Sequence, residues 1–180
     1  MTYCEFTKDL DESHPHRLYH DKFYGFPIAD DDELFGRLIL EINQAGLNWL
    51  TILKKEENFR TAFKDFNISE IANFNETDIN SLMNNAGIIR NRKKIEATIY
   101  NANRVLEIKA EYGFFSNWLD KNIDKDLKEW TALFKKNFKF TGGLIVEEFL
   151  MSTSYLSGAH QANCDVYKEV LNSEPKWKKN

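Results

Sequence analysis

Glu41 is an acidic residue at the edge of an apolar helical stripe, and residues 44–49 follow it closely. At about 100° per residue, Leu34 and Leu38 lie on one apolar arc of the helix, and Glu41 falls just outside Leu34. A carboxylate in that position is partly desolvated, so its ionised form needs a partner. The partner is either a structural group or a cationic, hydrogen-bond-donating ligand in an adjacent pocket. The alternative is a glutamate that reaches water or pairs with Arg37, four residues earlier.

Cysteine and histidine residues near the two ends of the chain form a second candidate site. Cys4 is followed by His20, and Cys164 follows His160 by four residues, which places the last two on one face if that turn is helical. Two thiolates and two imidazoles form the usual closed, tetrahedral zinc site. Such a site would be structural and would clip the N-terminal segment to the C-terminal one, whereas two unrelated buried cysteines are the alternative. The rivals of His20 as a ligand are His14 and His16.

A basic cluster is the third candidate feature. Four of the five residues at 90–94 are positively charged: Arg90, Arg92, Lys93 and Lys94. The net charge of −4 argues against indiscriminate binding of polyanions by the whole surface, although it does not exclude a local patch. The cluster is therefore either a nucleic-acid contact or a solvated helix face, and the charge run alone favours the solvated face.

The spacing of apolar residues predicts an all-α protein, because apolar positions repeat at the helical period and the alternation typical of strands is nearly absent. The 180 residues, 42% of them hydrophobic, suffice for one core. We expect a single domain over residues 1–168 and a polar, frayed tail over residues 169–180. The apolar runs are too short to cross a bilayer and the N-terminus lacks a signal-peptide pattern, which predicts a cytoplasmic protein.

Capping residues predict the boundaries of the helix that contains Glu41. Residues 30–32 are three aspartates that supply the N-cap and first-turn acids of a helix running to about Ala45, and Gly46 is suited to ending it. Asn48 can cap the next helix. The helical pattern then continues to a break at Asn67.

Two later helices are joined by a tight connection. Residues 86–90 form this connection, and the long helix that follows ends at Gly113. Two helices joined so closely form a hairpin. Three further helices are predicted beyond Gly113, the last of them closed by Gly158. They contain Trp118, Trp130 and Phe149.

Several stretches of the chain occur together, and in the same order, in one protein family. They are Tyr19-His20-Asp21 with Gly25 and Pro27, Leu40-Glu41, Gln44-Ala45-Gly46-Leu47-Asn48-Trp49, Ile52-Leu53-Lys54-Lys55, Phe59-Arg60, Ala62-Phe63 and Gly87-Ile88-Ile89-Arg90-Asn91-Arg92-Lys93-Lys94-Ile95. The chain resembles the type I DNA-3-methyladenine glycosylases, bacterial base-excision repair enzymes of the helix-hairpin-helix superfamily. The resemblance covers roughly residues 1–150. A less similar stretch follows, after which His160 and Cys164 again match the pattern of the family.

This resemblance implies a single helical domain with a zinc site that joins its N- and C-terminal segments. It also implies a monofunctional DNA glycosylase that flips 3-methyladenine out of the duplex and hydrolyses its N-glycosidic bond, leaving an abasic site. Glu41 matches the carboxylate that recognises the base, and Tyr19 and Trp49 match the aromatic walls of the base pocket. The residues that match the family's zinc ligands are Cys4, His20, His160 and Cys164.

The chain departs from the family's pattern at the rim of that pocket. The family usually places Trp where Phe6 stands, Tyr where His16 stands and Trp where Tyr24 stands. The rim therefore differs in size and polarity, but Phe6 can still stack on a base. We expect Phe6 and His16 to take part in base binding.

The DNA-binding element implied by the resemblance covers about residues 76–111. Free backbone amides in its hairpin are suited to a backbone phosphate, and the basic cluster adds salt-sensitive attraction. Leu47 is the candidate wedge for the space left by a flipped base, with a buried turn leucine as the alternative. The expected partner is double-stranded alkylated DNA, bound by a monomer without a protein partner. The hairpin amides are those of Gly87, Ile88 and Ile89, and the charges are those of Arg90, Arg92, Lys93 and Lys94.

Two other functions stay open. A zinc-stabilised DNA-binding or lesion-sensing module without turnover would use the hairpin and the basic cluster, but it would not need Glu41. An oxidised-base lyase would need an Asp, or a Lys with it, in the helix after the hairpin. Residues 98–109 of that helix contain Glu107 and Lys109 and no Asp. We expect both side chains to face solvent, so the lyase is the weaker alternative.

Overall fold

The computed structural model describes residues 1–179 and contains helices without any strand in that range, as the all-α prediction requires. The α-helices are α1 Tyr3–Thr7, α2 Pro15–Lys22, α3 Asp31–Gln44, α4 Trp49–Leu53, α5 Glu56–Ala62, α6 Ile68–Ala72, α7 Glu76–Asn84, α8 Arg92–Tyr112, α9 Phe115–Lys121, α10 Leu127–Asn137, α11 Gly143–Ser152 and α12 Tyr167–Asn172. Two 3-10 turns lie at Lys64–Phe66 and Lys176–Lys179. No helix among these residues is both long enough and apolar enough to span a membrane.

Helix α3 lies at the centre of the core and packs against α4, α8, α9 and α11. Its Phe35, Leu38 and Ile39 side chains are fully buried, and even its N-terminal Asp31 is buried. Asp30 caps the helix by accepting a hydrogen bond from the Glu33 amide at 2.9 Å, as predicted. The helix is therefore buried along most of its length, and the polar side chains of Glu41 and Asn43 near its C-terminus are desolvated.

The turn after α3 has the predicted geometry. Gly46 has a φ of +80°, a left-handed conformation that favours glycine, and α3 ends just before it. Asn48 caps α4 by accepting a hydrogen bond from the Leu50 amide at 2.8 Å. The helical pattern beyond α4 is interrupted at residues 54–55, so the predicted continuous helix is instead α4 followed by α5.

A buried lysine ties this turn to α8. The Lys94 ammonium group donates hydrogen bonds to the carbonyl oxygens of Asn43 at 2.9 Å and Ala45 at 2.8 Å. The side chain is only 6% exposed, and its burial lowers the pKa of Lys94. The prediction that Lys94 adds to a cationic surface is therefore wrong, because its charge stabilises the last carbonyls of α3.

The predicted hairpin is formed by α7, the connection over residues 85–91, and α8, which ends at Gly113 as predicted. Asn91 caps α8 by accepting a hydrogen bond from the Lys94 amide at 3.2 Å. From outside the hairpin, the Lys55 ammonium group donates to the carbonyl oxygens of Ala86 at 2.9 Å and Gly87 at 3.2 Å. Lysines thus join the hairpin to the α3–α5 region at two points.

Two predictions for the C-terminal part are wrong. Helix α11 ends at Ser152, six residues before Gly158, because the backbone turns to bring the Ser152 carbonyl within 3.0 Å of the Gly25 amide. The tail is not frayed over residues 169–179. The Trp177 amide donates to the Ser154 carbonyl at 3.0 Å, and the Lys176 ammonium group pairs with Asp120 at 2.7 Å. Asn180, the last residue of the predicted tail, lies outside the described residues.

Replacing Lys94 by Met tests the tie between α3 and α8. Lys94→Met keeps the length of the side chain but leaves two carbonyl oxygens without their donor, so the free energy of unfolding should fall by about 1 to 3 kcal/mol. Urea denaturation measures this loss. The matched control is Lys93→Met, which removes the same charge from an exposed neighbour and should change stability by less than about 0.5 kcal/mol. Equal stability of the two variants would contradict the structural role of Lys94.

Candidate active site

The predicted base-binding residues surround one cavity of about 450 Å³. Helices α1, α2, α3 and α4 contribute most of its lining, and α11 contributes one residue. Its volume is in the range typical of small-molecule sites. The lining residues predicted from the sequence are Phe6, His16, Tyr19, Glu41, Leu47 and Trp49, and those not predicted as binding residues are Tyr3, Tyr24, Gln44, Asn48 and Glu148.

Glu41 is 4% exposed, and its carboxyl group accepts no hydrogen bond from the residues that the structure describes. The alternative of an ion pair with Arg37 is not realised. Arg37 instead donates a hydrogen bond to the Tyr19 hydroxyl oxygen at 2.8 Å and stacks over that ring, 4.9 Å from its centroid. The acid of α3 therefore faces the cavity without a protein partner.

Burial raises the pKa of Glu41 to about 8, and the negative charge of Glu148 adds to the effect, while Arg37 lowers it in part. The raised pKa means that the empty cavity favours the protonated carboxyl at neutral pH. A cation that enters the cavity favours the ionised carboxylate instead. Ionisation of Glu41 and binding of a cation are thus coupled.

Aromatic rings form the walls on either side of this acid. The Tyr19 and Trp49 rings meet edge to face with centroids 5.2 Å apart, and the Tyr3 and Tyr24 rings do so at 5.3 Å. Burial raises the pKa of Tyr3, Tyr19 and Tyr24, so the phenols stay neutral. Faces and edges of this kind suit a flat, positively charged ring by stacking and cation–π contact.

Phe6 and His16 are two of the three residues at which the chain departs from the pattern of the family that it resembles, and both line the cavity. The ring of Phe6 is 42% exposed and meets the His16 ring edge to face, 5.1 Å between centroids. His16 Nδ1 lies 2.9 Å from the Tyr3 hydroxyl oxygen. Burial lowers the pKa of His16, so its ring is neutral near pH 7. The side chains of Phe6, His16 and Tyr3 thus contact one another. His16 adds no positive charge that would repel a cationic ligand.

Glu148 is the most important residue that sequence reasoning missed. The residue as a whole is exposed, but its Oε2 atom accepts a hydrogen bond from the Tyr24 hydroxyl at 3.2 Å. Desolvation is the main reason that the pKa of Glu148 is raised. Nothing in the sequence indicates its position, because α11 is brought to the cavity by packing against distant helices, α3 among them.

The predicted metal ligands lie together. The ligand atoms of Cys4, His20, His160 and Cys164 all lie within 4.8 Å of one another. Cys164 Sγ is 3.7 Å from His20 Nε2 and 3.6 Å from His160 Nδ1. These separations fit a tetrahedral zinc ion, for which the known Zn–S and Zn–N bond lengths place S and N about 3.6 Å apart.

The other nitrogen of each histidine is held by a second group. His20 Nδ1 lies 2.6 Å from Asp21 Oδ1, and His160 Nε2 lies 2.7 Å from the Tyr24 carbonyl oxygen. Partners of this type orient metal-binding imidazoles. The segment around Cys164 is a turn and not a helix, yet it still brings the cysteine beside His160. The rival ligands lie elsewhere: His14 caps α2, and His16 contacts Tyr3.

The hairpin contains fewer free backbone amides than predicted. The Gly87 amide donates to Asn85 Oδ1 at 2.8 Å and the Ile88 amide donates to the Asn85 carbonyl at 3.3 Å, so neither amide is free for a phosphate. The Ile89 amide has no acceptor among the described residues. The backbone amide of Arg90, next along the chain, is likewise without one.

The basic cluster is likewise reduced by local pairing. Arg92 pairs with Glu76 at 2.6 Å and with Glu96 at 2.8 Å. Arg90 and Lys93 are exposed, and neither has an acidic partner within residues 1–179. These two side chains are therefore the cations of the cluster that an external anion can reach directly.

Leu47 lies at the mouth of the cavity on the turn after Gly46, and 41% of it is exposed. The alternative of a buried turn leucine is therefore excluded. An exposed apolar side chain beside a cavity that suits a flat base is placed where a wedge would act.

Replacing Glu41 by Gln should change how stability depends on pH. The folded protein keeps the Glu41 proton up to about pH 8 while the unfolded chain loses it near 4.5, so the unaltered protein loses stability as pH rises between these values. Glu41→Gln cannot ionise, so its advantage should be small at pH 4 and on the order of 2 to 4 kcal/mol at pH 9. Urea denaturation at both pH values measures it. An advantage that does not grow with pH would contradict a desolvated acid.

Comparison with known proteins gives the family. The family model described as methyladenine glycosylase matches residues 10–132. The DNA-3-methyladenine glycosylase 1 of Escherichia coli K12 is 34% identical over 168 residues, which cover 83% of this chain and 89% of that protein. The DNA-3-methyladenine glycosylase of Haemophilus influenzae is 43% identical over 101 residues, 56% of this chain and 55% of that protein.

Solved structures agree with the sequence comparison. The 3-methyladenine DNA glycosylase I of Staphylococcus aureus, solved to study recognition of 3-methyladenine, superposes with a TM-score of 0.79 at 32% identity, over 87% of this chain and 93% of that chain. A Tyr-to-Phe variant of a 3-methyladenine DNA glycosylase I, in complex with 3-methyladenine, superposes with a TM-score of 0.82 at 32% identity, over 92% and 97%. The chain described here therefore belongs to the methyladenine glycosylase family.

Proposed function

We propose that this chain is a monofunctional DNA glycosylase that excises 3-methyladenine from double-stranded alkylated DNA, acting as a monomer in the cytoplasm. The relatives and the complex with 3-methyladenine support this substrate. The single observation that carries the proposal is the Glu41 carboxyl group, which is buried in an aromatic cavity without a protein partner.

The reaction is hydrolysis of the N-glycosidic bond. Methylation at N3 gives the adenine of the nucleotide a positive charge, which weakens its bond to the sugar. Water attacks the anomeric carbon and loses a proton, while the carbon–nitrogen bond breaks and its electron pair neutralises the departing base. The base leaves without being protonated by the enzyme, so no strong general acid is needed. An abasic site remains in the DNA.

Glu41 selects the substrate by charge. In its ionised form it accepts hydrogen bonds from the edge of the base and offsets the positive charge, while Tyr19 and Trp49 contact the ring. Unmodified adenine is neutral, so its electrostatic attraction to the carboxylate is weaker. Binding of neutral adenine nevertheless desolvates the Glu41 carboxylate to the same extent. The raised pKa of Glu41, about 8, makes this difference larger, because the carboxylate is unstable in the cavity until a cation arrives.

DNA binds across the cavity mouth and the hairpin. The base must leave the duplex to reach Glu41, and Leu47, exposed beside the cavity, fills the vacated stack. Residues 76–111 act as the helix-hairpin-helix element. The amides of Ile89 and Arg90 bind a backbone phosphate there. The side chains of Arg90 and Lys93 add attraction that weakens with salt.

Two alternatives remain weaker. A DNA-binding or lesion-sensing module without turnover would not require a buried, unpartnered acid at position 41. A lyase would require a free amine in α8, but Lys109 pairs with the buried Asp31 at 3.1 Å instead of facing solvent as predicted. Glu107 is exposed and pairs with Arg104. Neither side chain lines the cavity.

We also propose that Cys4, His20, His160 and Cys164 hold one structural zinc ion. The donor set, the short separations between ligand atoms and the second partners of both histidines support it. Four protein ligands leave no coordination position for water, so the ion would supply no catalytic chemistry. It would fix α1 and α2, which carry four of the eleven cavity-lining residues, against the C-terminal segment.

Release of methylated bases by a Glu41→Gln variant tests the proposed function. The variant keeps the shape of the side chain but cannot carry a negative charge, so release of 3-methyladenine from alkylated duplex DNA should slow by about a hundredfold. Products separated by mass give the rates. The control is Glu107→Gln, which changes an exposed acid away from the cavity and should leave the rate unchanged. If Glu41→Gln works at full rate, the carboxylate has no such role. If the unaltered chain binds DNA and releases nothing, the binding module is correct.

Metal analysis tests the zinc site. Protein purified without chelator should contain one zinc ion per chain, and Cys164→Ser should lose it and lower the melting temperature by several degrees or more. His14→Ala changes a histidine outside the cluster and should keep the zinc. It should lower the melting temperature less than Cys164→Ser does, because it removes only the N-cap of α2. Metal-free protein of full stability would favour two unrelated buried thiols.

A further inference from the structure

Glu148 is a second acid in the cavity, and the proposed function gives it no role. It lies on α11, whereas Glu41 lies on α3, and both line the same cavity. The Tyr24 hydroxyl, donating at 3.2 Å, holds the Glu148 carboxyl group. No cationic side chain pairs with Glu148 among residues 1–178. The cavity therefore contains two acids, and neither is neutralised by an ion pair.

The charge of Glu148 acts across the cavity. Glu148 on α11 and Glu41 on α3 both line it, and Tyr3 and Tyr24 lie in the same lining. The negative charge of Glu148 helps to raise the pKa of Glu41. A charge that acts on Glu41 also acts on a cation bound in the cavity, with the opposite sign. The same acid that destabilises negative charge in the empty cavity thus stabilises a positively charged ligand.

We propose that Glu148 is a second specificity-determining acid, which acts with Glu41 to select positively charged purines over neutral ones. The inference rests on the proposed function, because it assumes that the cavity receives a cationic base. Glu41 is the fully buried acid that meets the edge of the base. Glu148, on the solvent side of the cavity, attracts the charged ring as a whole, and the Tyr24 hydrogen bond keeps its carboxyl group directed toward that ring.

A purely structural role for Glu148 would have different consequences. The acid could serve only to position Tyr24, whose backbone carbonyl also contacts His160 at 2.7 Å. Loss of such an anchor would weaken binding of charged and neutral bases alike. Loss of an electrostatic contact weakens binding of the charged base alone.

Binding of two small purines separates these roles. The probe 3,9-dimethyladeninium carries a permanent positive charge, as the alkylated nucleotide does, and 9-methyladenine is its neutral counterpart. Dissociation constants are measured by calorimetry at pH 8.5 for the unaltered chain, for Glu148→Gln and for the control Glu147→Gln. Glu147 is the adjacent acid on the same helix and does not line the cavity.

Glu148→Gln should weaken binding of the cation about tenfold, the effect expected of one charge several ångströms away in a partly solvated cavity. Its affinity for 9-methyladenine should change less than twofold, and Glu147→Gln should change neither constant by more than that. The proposal is overturned if Glu148→Gln weakens both probes equally, if it weakens neither, or if Glu147→Gln has the same effect.

A second variant tests whether the charge or the anchor matters. Tyr24→Phe removes the hydrogen bond but keeps the acid, so it should reduce the preference for the cation less than Glu148→Gln does. A full reproduction of the Glu148→Gln result would mean that Glu148 only positions Tyr24, which overturns the proposal.

Base release by the unaltered chain separates this proposal from the proposed function. If that chain releases no 3-methyladenine, the proposed function fails and the role of Glu148 fails with it. If it releases the base and Glu148→Gln keeps the full preference for the cation, the role of Glu148 alone is wrong.

Discussion

The Glu41 carboxyl group is buried without a hydrogen-bond donor or an ion-pair partner among the described residues, and the site depends on this constraint. Because the pKa of Glu41 is about 8, ionising the group at pH 7 in the empty cavity costs about 1.4 kcal/mol. A cationic base offsets this cost and a neutral base does not. In the proposed function, selectivity therefore arises from a carboxyl group that no protein group neutralises. Arg37, the partner that the sequence suggested, donates its hydrogen bond to Tyr19 instead.

The rest of the fold keeps Glu41 in this unfavourable state. Helix α3 is surrounded by core side chains and cannot rotate the acid toward solvent. Lys94 fixes the C-terminal end of the helix, and Lys55 links α5 to the hairpin proposed to bind DNA. Zinc bound by the cysteine–histidine cluster, as proposed, would keep α1 and α2, with their aromatic side chains, against the cavity. Locally unfavourable arrangements of this kind persist at functional sites because the stability of the surrounding structure maintains them.

Local signals in the sequence predicted much of this structure, and tertiary contacts account for what they missed. Asp30, Gly46 and Asn48 act on the backbone next to them, so both ends of α3 and the start of α4 could be predicted. Glu148 could not be placed, because its position depends on the packing of two helices far apart in the chain. Lys94 belongs to a charge run that resembles a solvated face, and only the fold shows that its ammonium group is buried. The docked tail was missed for a similar reason, since Lys176 finds Asp120 across the surface.

Proton release on binding of a cation tests the coupling at Glu41 most directly. Calorimetric titration of the unaltered chain with 3,9-dimethyladeninium, in buffers of different ionisation enthalpy, counts the protons released per bound ligand. At pH 7 the count should be close to one, because the empty cavity holds a protonated Glu41 and the occupied cavity holds its carboxylate. The Glu41→Gln variant should release none. Binding of the cation by the unaltered chain without proton release, and no more tightly than binding of 9-methyladenine, would contradict the account.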